Sequence, residues 1–346
     1  MAGAAFNHFE IRADWLAGHR EEALNPEQPV VDAHHHLYDR PALRYLLDEY
    51  RADLADGHDV RASVFVQARA MLRADGPEAF RAVGETEFVN GVAAMSASGL
   101  YGPSRLCAGI VGYADLTLGD AVRPVLEAHV AAGGGRFRGI RHTLCWDDNA
   151  QLLNPAYPTI AGMAGTAAFR AGFAHLAPLG LGFEAWCFFH QLPEVAQLAR
   201  DFPGTRIVVN HCGGIIGAGS YRREAVRAAW LQGIRNLATC PNVSIKLSGL
   251  GMRLGGFGFD ERPQAPSSVD LASAWAPWVL PLVEHFGADR CLWGSNFPVD
   301  KGCYAYGVGL NAYKRLLEGC SPSERDAIFR GNAARYYQLP SAGPAS

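Results

Sequence analysis

Long apolar runs are missing: nothing in the 346 residues approaches the ~18 consecutive apolar positions of a membrane span. Met1 to Glu10 hold no basic region followed by an apolar stretch, so no secretory leader is expected. The eight cysteines (Cys107, Cys145, Cys187, Cys212, Cys240, Cys291, Cys303, Cys320) form no C-x-x-C pair, and several sit in apolar runs. A disulfide framework is therefore not expected, and a reducing, cytoplasmic setting is. An excess of one charge is also absent. The net charge of -3 gives no whole-chain attraction to nucleic acid or to an acidic membrane. No repeat or linker-like composition shift divides the chain. What is there is an ordinary globular composition, 49% hydrophobic and 19% charged.

The informative stretch is Val30-Val31-Asp32-Ala33-His34-His35-His36-Leu37. Two β-branched residues lead into an acid and three histidines, as in a strand that ends at a site. With a period of two, Asp32, His34 and His36 are expected on one side, and Ala33 and His35 on the other. Short apolar runs then recur at 62–68, 106–113, 137–144, 182–189, 206–211, 243–247 and 290–293. Amphipathic helices lie between them, at about 85–98, 119–132, 166–178, 192–202, 221–238 and 271–286, with two more at 308–318 and 323–336. Eight strands alternating with helices predict an α/β fold, a (β/α)8 TIM-type barrel. The competing open sheet would carry a Gly-rich phosphate loop after its first strand, where this chain has histidines. The expected organisation is an N-terminal extension over 1–27 with a short helix within Ile11 to Leu24, a barrel over 28–338, and a C-terminal tail over 339–346.

Active sites of such barrels sit at the C-terminal strand ends. Those ends carry His34 and His36, Gln67, Arg138, Arg141 and His142, Glu184, Trp186 and His190, His211, Lys246 and Ser248, and Ser295 and Asn296 with Asp300 just beyond. Not all are expected to act. His35 and His142 read as structural. His190 is either a ligand or a helix cap. Trp186 is more often core than a substrate platform. Arg138 and Arg141 have opposite parity, so at most one points directly inward and the other reaches the rim only by its length; an arginine there would clamp a carboxylate, the alternative being a salt bridge to a neighbouring helix. Lys246, inside an apolar strand, either pairs with an acid such as Glu184 or faces the site. The Gly-rich loops at 213–219 and 249–258 are candidate lids.

Four motifs in this order resemble the amidohydrolase superfamily, and more narrowly the amidohydrolase 2 branch with its sugar lactonases and 2-pyrone-4,6-dicarboxylate lactonase. They are Val31–Leu37, Val208-Val209-Asn210-His211-Cys212-Gly213-Gly214, Lys246-Leu247-Ser248-Gly249 and Trp293-Gly294-Ser295-Asn296-Phe297-Pro298. The closing Ile328–Tyr337 segment is similar too. The resemblance implies hydrolysis by an activated water, acting on a small-molecule lactone or related ester that could bear a carboxylate. It implies either one divalent ion (Zn or Mn) held by His34, His36, His211 and His190, or a metal-free site in which the histidines and arginines polarise the substrate. His34, His36, His211, Asn296 and Asp300 are the expected catalytic residues. Arg141, Lys246, Gln67, Trp186 and Glu184 are the expected substrate contacts. One departure stands out: the branch often has Gly-Ser-Asp where this chain has Gly294-Ser295-Asn296. An amide cannot take a proton near neutral pH, so the base must be His211, Glu184, Asp300, Asp147 or Asp148. A decarboxylase or hydratase, a metal-dependent amidase and a binding protein that has lost the chemistry are the alternatives. A homo-oligomer is left open.

Overall fold

The computed structural model describes residues 10–40 and 43–340; parts of the expected extension (1–9) and tail (341–346) lie outside them. Eight strands run parallel in chain order: β1 (Val30–His35), then, after a small hairpin of β2 (Tyr38–Arg40) and β3 (Leu43–Tyr45), β4 (Val60–Val66), β5 (Arg105–Gly112), β6 (Phe137–Thr143), β7 (Gly182–Trp186), β8 (Ile207–Val209), β9 (Val243–Leu247) and β10 (Cys291–Trp293). Helices cross between them, as a parallel sheet requires. This is the (β/α)8 barrel architecture. It closes just past the ends of its first and last strands. Asn296 N donates to His34 O at 2.7 Å and His36 N to Phe297 O at 2.8 Å. Ser295 adds its amide and hydroxyl, both donated to the Asp32 carboxylate, at 2.9 and 2.6 Å.

Asp32 does not share the inward side of His34. The β1–β4 register shifts between Asp32 and His35, so strict alternation fails there. The Asp32 carboxylate accepts from the Tyr50 hydroxyl at 2.8 Å, and His35 stacks on the same tyrosine ring at 4.1 Å. Both therefore face the helix Leu47–Leu54, an element that periodicity did not reveal. The N-terminal helix is only Ala13–Ala17. Beyond Gly18 the backbone is held by other elements. Leu24 N donates to Asn311 Oδ1 at 2.8 Å, and Lys314 Nζ donates to the carbonyls of Leu24 and Asn25. Tertiary bonds thus take the groups a longer helix would have used.

At the other end of the barrel the closing helix Asn332–Tyr336 packs under β1 and β10. Tyr337, just after it, sends its hydroxyl to Glu184 Oε1 at 2.6 Å, and Arg138 hydrogen-bonds the Tyr337 carbonyl. Arg138 is thereby committed to this closure, away from the rim. Because a hydrogen bond to a buried carboxylate is charge-assisted, Tyr337→Phe is expected to lower the unfolding free energy by ~1.5–3 kcal/mol. A urea titration would show a lower midpoint at unchanged slope; an unmoved midpoint would contradict the closure.

Candidate active site

In the β6–β7 register Arg141 lies opposite Glu184. Together with Lys246 of β9 they fill the barrel axis. Lys246 is fully buried, and its Nζ reaches Glu184 Oε1 and Oε2 at 2.8 and 2.7 Å and His34 Nδ1 at 3.1 Å. Glu184 also accepts from Asn210 Nδ2 at 2.9 Å. Burial pulls the Lys246 ammonium down to about 8, with Glu184 opposing the shift. At neutral pH the ammonium donates to all three partners. We therefore assign the His34 proton to Nε2, since Nδ1 is the acceptor.

That assignment decides what Arg141 can do. Its Nη1 lies 3.3 Å from His34 Nε2, where donor faces donor. Nη2 is used, on the Gln67 carbonyl at 2.6 Å. Nε is buried without a partner. Two guanidinium donors are left unspent beside a cavity of about 130 Å³ whose wall includes Arg141, His36, His211, Trp186, Asn296 and Tyr157. Gln67 stands behind the wall, with its Oε1 accepting from the Tyr157 hydroxyl at 2.8 Å.

The three imidazoles converge. The His34 ring is 5.0 Å from His36 and 4.5 Å from His211, and Trp186 stands edge-on to His211 at 4.7 Å. His36 Nδ1 faces the Val66 carbonyl at 2.7 Å, so it must carry the proton and Nε2 the lone pair. Burial holds all three rings well below the usual imidazole range. Lys246 adds to this for His34, and Arg141 for His36 and His211. They are neutral at physiological pH.

His211 is placed by strained backbone. His211, Cys212, Gly213 and Gly214 have φ of 51°, 53°, 75° and 67°, a left-handed turn that two non-glycine residues tolerate only under constraint. A Cβ at Gly214 would lie 1.9 Å from the Cys187 carbonyl oxygen, and one at Gly249 would lie 2.4 Å from His211 Nδ1. The glycines after β8 and β9 thus let the histidine lie against Ser248, whose Oγ is 3.0 Å from Nδ1. Asn296, also left-handed at φ 57°, gives its Nδ2 to Asp300 Oδ1 at 2.7 Å, which leaves Oδ1 buried without a partner. Asp300 further accepts from the Tyr304 hydroxyl at 2.7 Å and Gly251 N at 3.0 Å, and burial raises it to about 7.

The remaining candidates lie elsewhere. His190 bonds the Trp146 carbonyl at 2.8 Å and stacks on Tyr221, away from the three histidines. Asp147 accepts from the Tyr221 hydroxyl at 2.7 Å, and Asp148 is exposed. Glu184 is saturated by its partners. No carboxylate reaches the cavity wall among the described residues. Arg40, Arg69 and Tyr157 are among the wall residues that were not found from the sequence. They sit on the hairpin and on loops, where no period marks them.

His34 is not free to ligate a divalent ion in this arrangement: its Nδ1 lone pair is given to Lys246, and an ion beside it would meet the Arg141 guanidinium and the Lys246 ammonium. Among the described residues no three His, Cys, Asp or Glu side chains are arranged to hold a metal.

A barrel with its ionisable side chains gathered at the C-terminal rim is an enzyme architecture. The amidohydrolase family model matches residues 31–339, and the chain belongs to that family. It is 31% identical over 243 residues to an L-fucono-1,5-lactonase of Burkholderia ambifaria, covering 67% of this chain and 71% of that one. It is 27% identical to an L-fucono-1,5-lactonase of Burkholderia multivorans, over 90% of this chain and 96% of that one. A zinc-bound amidohydrolase from Burkholderia multivorans superposes with a TM-score of 0.70 at 26% identity, covering 90% and 99% of the two chains. The fold is shared by a putative 2-pyrone-4,6-dicarboxylic acid hydrolase of Pseudomonas putida (TM-score 0.62, 17% identity, 90% and 98% covered). It is also shared by a manganese-bound 5-carboxyvanillate decarboxylase of Novosphingobium aromaticivorans (0.58, 14%, 93% and 99%).

Removing one side of the axial ion pair strands the other in the core. Lys246→Met is expected to cost about 3–5 kcal/mol of stability, and adding Glu184→Gln to recover much of it. Denaturant titrations of the single and double variants check this. A single-variant loss below ~1 kcal/mol would mean that the pair is solvated.

Proposed function

We propose that the protein hydrolyses a small lactone, with a neutral imidazole as base and a guanidinium as the stabiliser of the oxyanion. The observation that carries this is Arg141: a buried, permanently charged group with two unspent donors on the cavity wall that it shares with His36, His211 and Asn296. The lactone names of two relatives support the substrate class.

In this reading the lactone carbonyl accepts from Arg141. The attacking water gives one hydrogen bond to the Asn296 Oδ1 that Asp300 orients, and the other to His36 Nε2. His36, which was not among the bases expected from the sequence but has its Nε2 lone pair free, takes the proton as the C–O bond forms, and Arg141 meets the negative charge that develops on the carbonyl oxygen. Collapse breaks the ring ester bond. The imidazolium, disfavoured by burial and by Arg141, returns its proton to the leaving alkoxide, and a hydroxy acid results. His211, braced by Ser248, binds the ring-oxygen side. Asn296 positions the water and does no proton transfer, which is why the missing aspartate is tolerated. No step needs a divalent ion.

Proton release from a panel of lactones tests the reading. Turnover of at least one is expected, unchanged by chelator and by added Zn2+ or Mn2+. His36→Ala is expected to lower kcat/KM by ~10²–10⁴ and Arg141→Met by ~10²–10³. Carbon dioxide release without ring opening would move the protein to the lyases, and loss of activity on metal removal would refute the metal-independent route.

The pH profile gives a separate check. His36 stays neutral down to well below 6.5, so it sets no limb near neutrality. Asp300, raised to about 7, is a carboxylate above that pH and holds the Asn296 amide firmly; below it the proton weakens that hold. The rate is therefore expected to fall as pH drops through about 7. Asp300→Asn is expected to give a lower rate without that limb. A wild-type limb near the ordinary imidazole value that survives in Asp300→Asn would put the titration on a histidine.

A further inference from the structure

The charge on the cavity wall is one-sided. Of its described residues, Arg40, Arg69 and Arg141 are cationic, and none is an acid. Lys246 cannot serve an anionic substrate, because both oxygens of Glu184 hold it behind the wall. Arg141 is engaged with the reacting carbonyl in the mechanism above. Two guanidinium groups remain at the mouth, from the hairpin and from the loop after β4.

Their local partners hold them in place without neutralising them. Arg40 Nη2 donates to the Ala68 carbonyl at 2.5 Å, and its guanidinium lies 4.3 Å from the Tyr38 ring centre. Arg69 Nη1 donates to the Ala156 carbonyl at 2.8 Å, 5.5 Å from the Tyr157 ring. A carbonyl and an aromatic face orient a guanidinium and leave its full charge and remaining N–H groups for another acceptor. The backbone carries a cost here too: Arg69 has φ 58°, left-handed for a residue that is not glycine. Arg69 also borders a second groove with Glu78, Glu85 and Asp115, and of these Glu85 is turned away. Its Oε1 accepts from Ala68 N and Ala70 N at 2.8 Å each, and it is fully buried beneath the loop. In a chain of net charge -3, a cavity mouth of this sign selects its ligand by field as well as by contact.

We propose that Arg40 and Arg69 form an anion subsite that selects a lactone carrying a carboxylate away from the ester being opened. The proposal rests on the hydrolase reading for its substrate, and the subsite is testable without it. Two free edges of planar guanidinium match the two oxygens of a carboxylate.

The test pairs δ-valerolactone with the same ring bearing a carboxymethyl group, on wild type and on Arg40→Gln, Arg69→Gln and the double variant. Wild type is expected to prefer the anionic lactone through KM, less so at high salt. In the double variant the ratio of kcat/KM for anionic over neutral lactone is expected to fall about tenfold or more. An unchanged ratio, or a wild type that prefers the neutral ring, overturns the subsite. Glutarate binding by calorimetry separates the two claims. If no lactone is opened but glutarate binds wild type and loses about tenfold or more affinity in the double variant, the hydrolase reading fails and the subsite stands. If glutarate does not bind, or binds both proteins alike, the subsite is overturned.

Discussion

The ion pair between Lys246 and Glu184 is the constraint on which the rest of the site depends. A fully buried ammonium and carboxylate are costly to desolvate, and they persist only where every remaining donor and acceptor is met. Here the partners come from across the fold: His34 from β1, Asn210 from the end of β8, and Tyr337 from beyond the closing helix. The pair therefore ties the first strand and the chain's end to the middle of the barrel. It also sets chemistry. By taking the lone pair of His34 Nδ1 it places that ring's proton on Nε2, and this leaves Arg141 Nη1 facing a donor, so that Nη1 and Nε are unspent while Nη2 holds the Gln67 carbonyl.

From that follows a division of labour between groups that keep their charge and groups that cannot hold one. The imidazoles are buried beside two cations and stay neutral, so they can accept a proton only briefly. The guanidinium keeps its charge at any working pH, so stabilisation of negative charge is present before the reaction starts. Backbone strain is concentrated on the residues that must be aimed. The left-handed turn at His211–Gly214 follows β8 and the left-handed Asn296 follows β10, on either side of β9. Their cost is carried by the rigid strands and by the ion pair beneath them.

Much of this was legible in the chain. The eight strands could be read because buried parallel strands are short β-branched runs between amphipathic helices. The rim could be read because polar side chains interrupt those runs at their ends. Where reading by parity failed, at Asp32, a register shift that no local pattern announces turned the side chain outward. Where it found nothing, at Arg40, Arg69 and Tyr157, the residues sit on irregular segments whose direction is set by contacts such as Arg69 with the Ala156 carbonyl. His190 and Asp147, equally polar and equally close to strand ends in the chain, are drawn to Trp146 and Tyr221 instead.

The sequence by itself determined the barrel, its order of strands and the set of polar residues its rim could draw on, because periodicity and turn residues act over a few positions at a time. Only the tertiary structure decided which of those residues face one another, which nitrogen of His34 is protonated, and that Lys246 is spent on Glu184 while Arg141 is not. Those outcomes depend on distances of about 3 Å between side chains as much as 212 residues apart, and no local pattern encodes a hydrogen bond between distant strands.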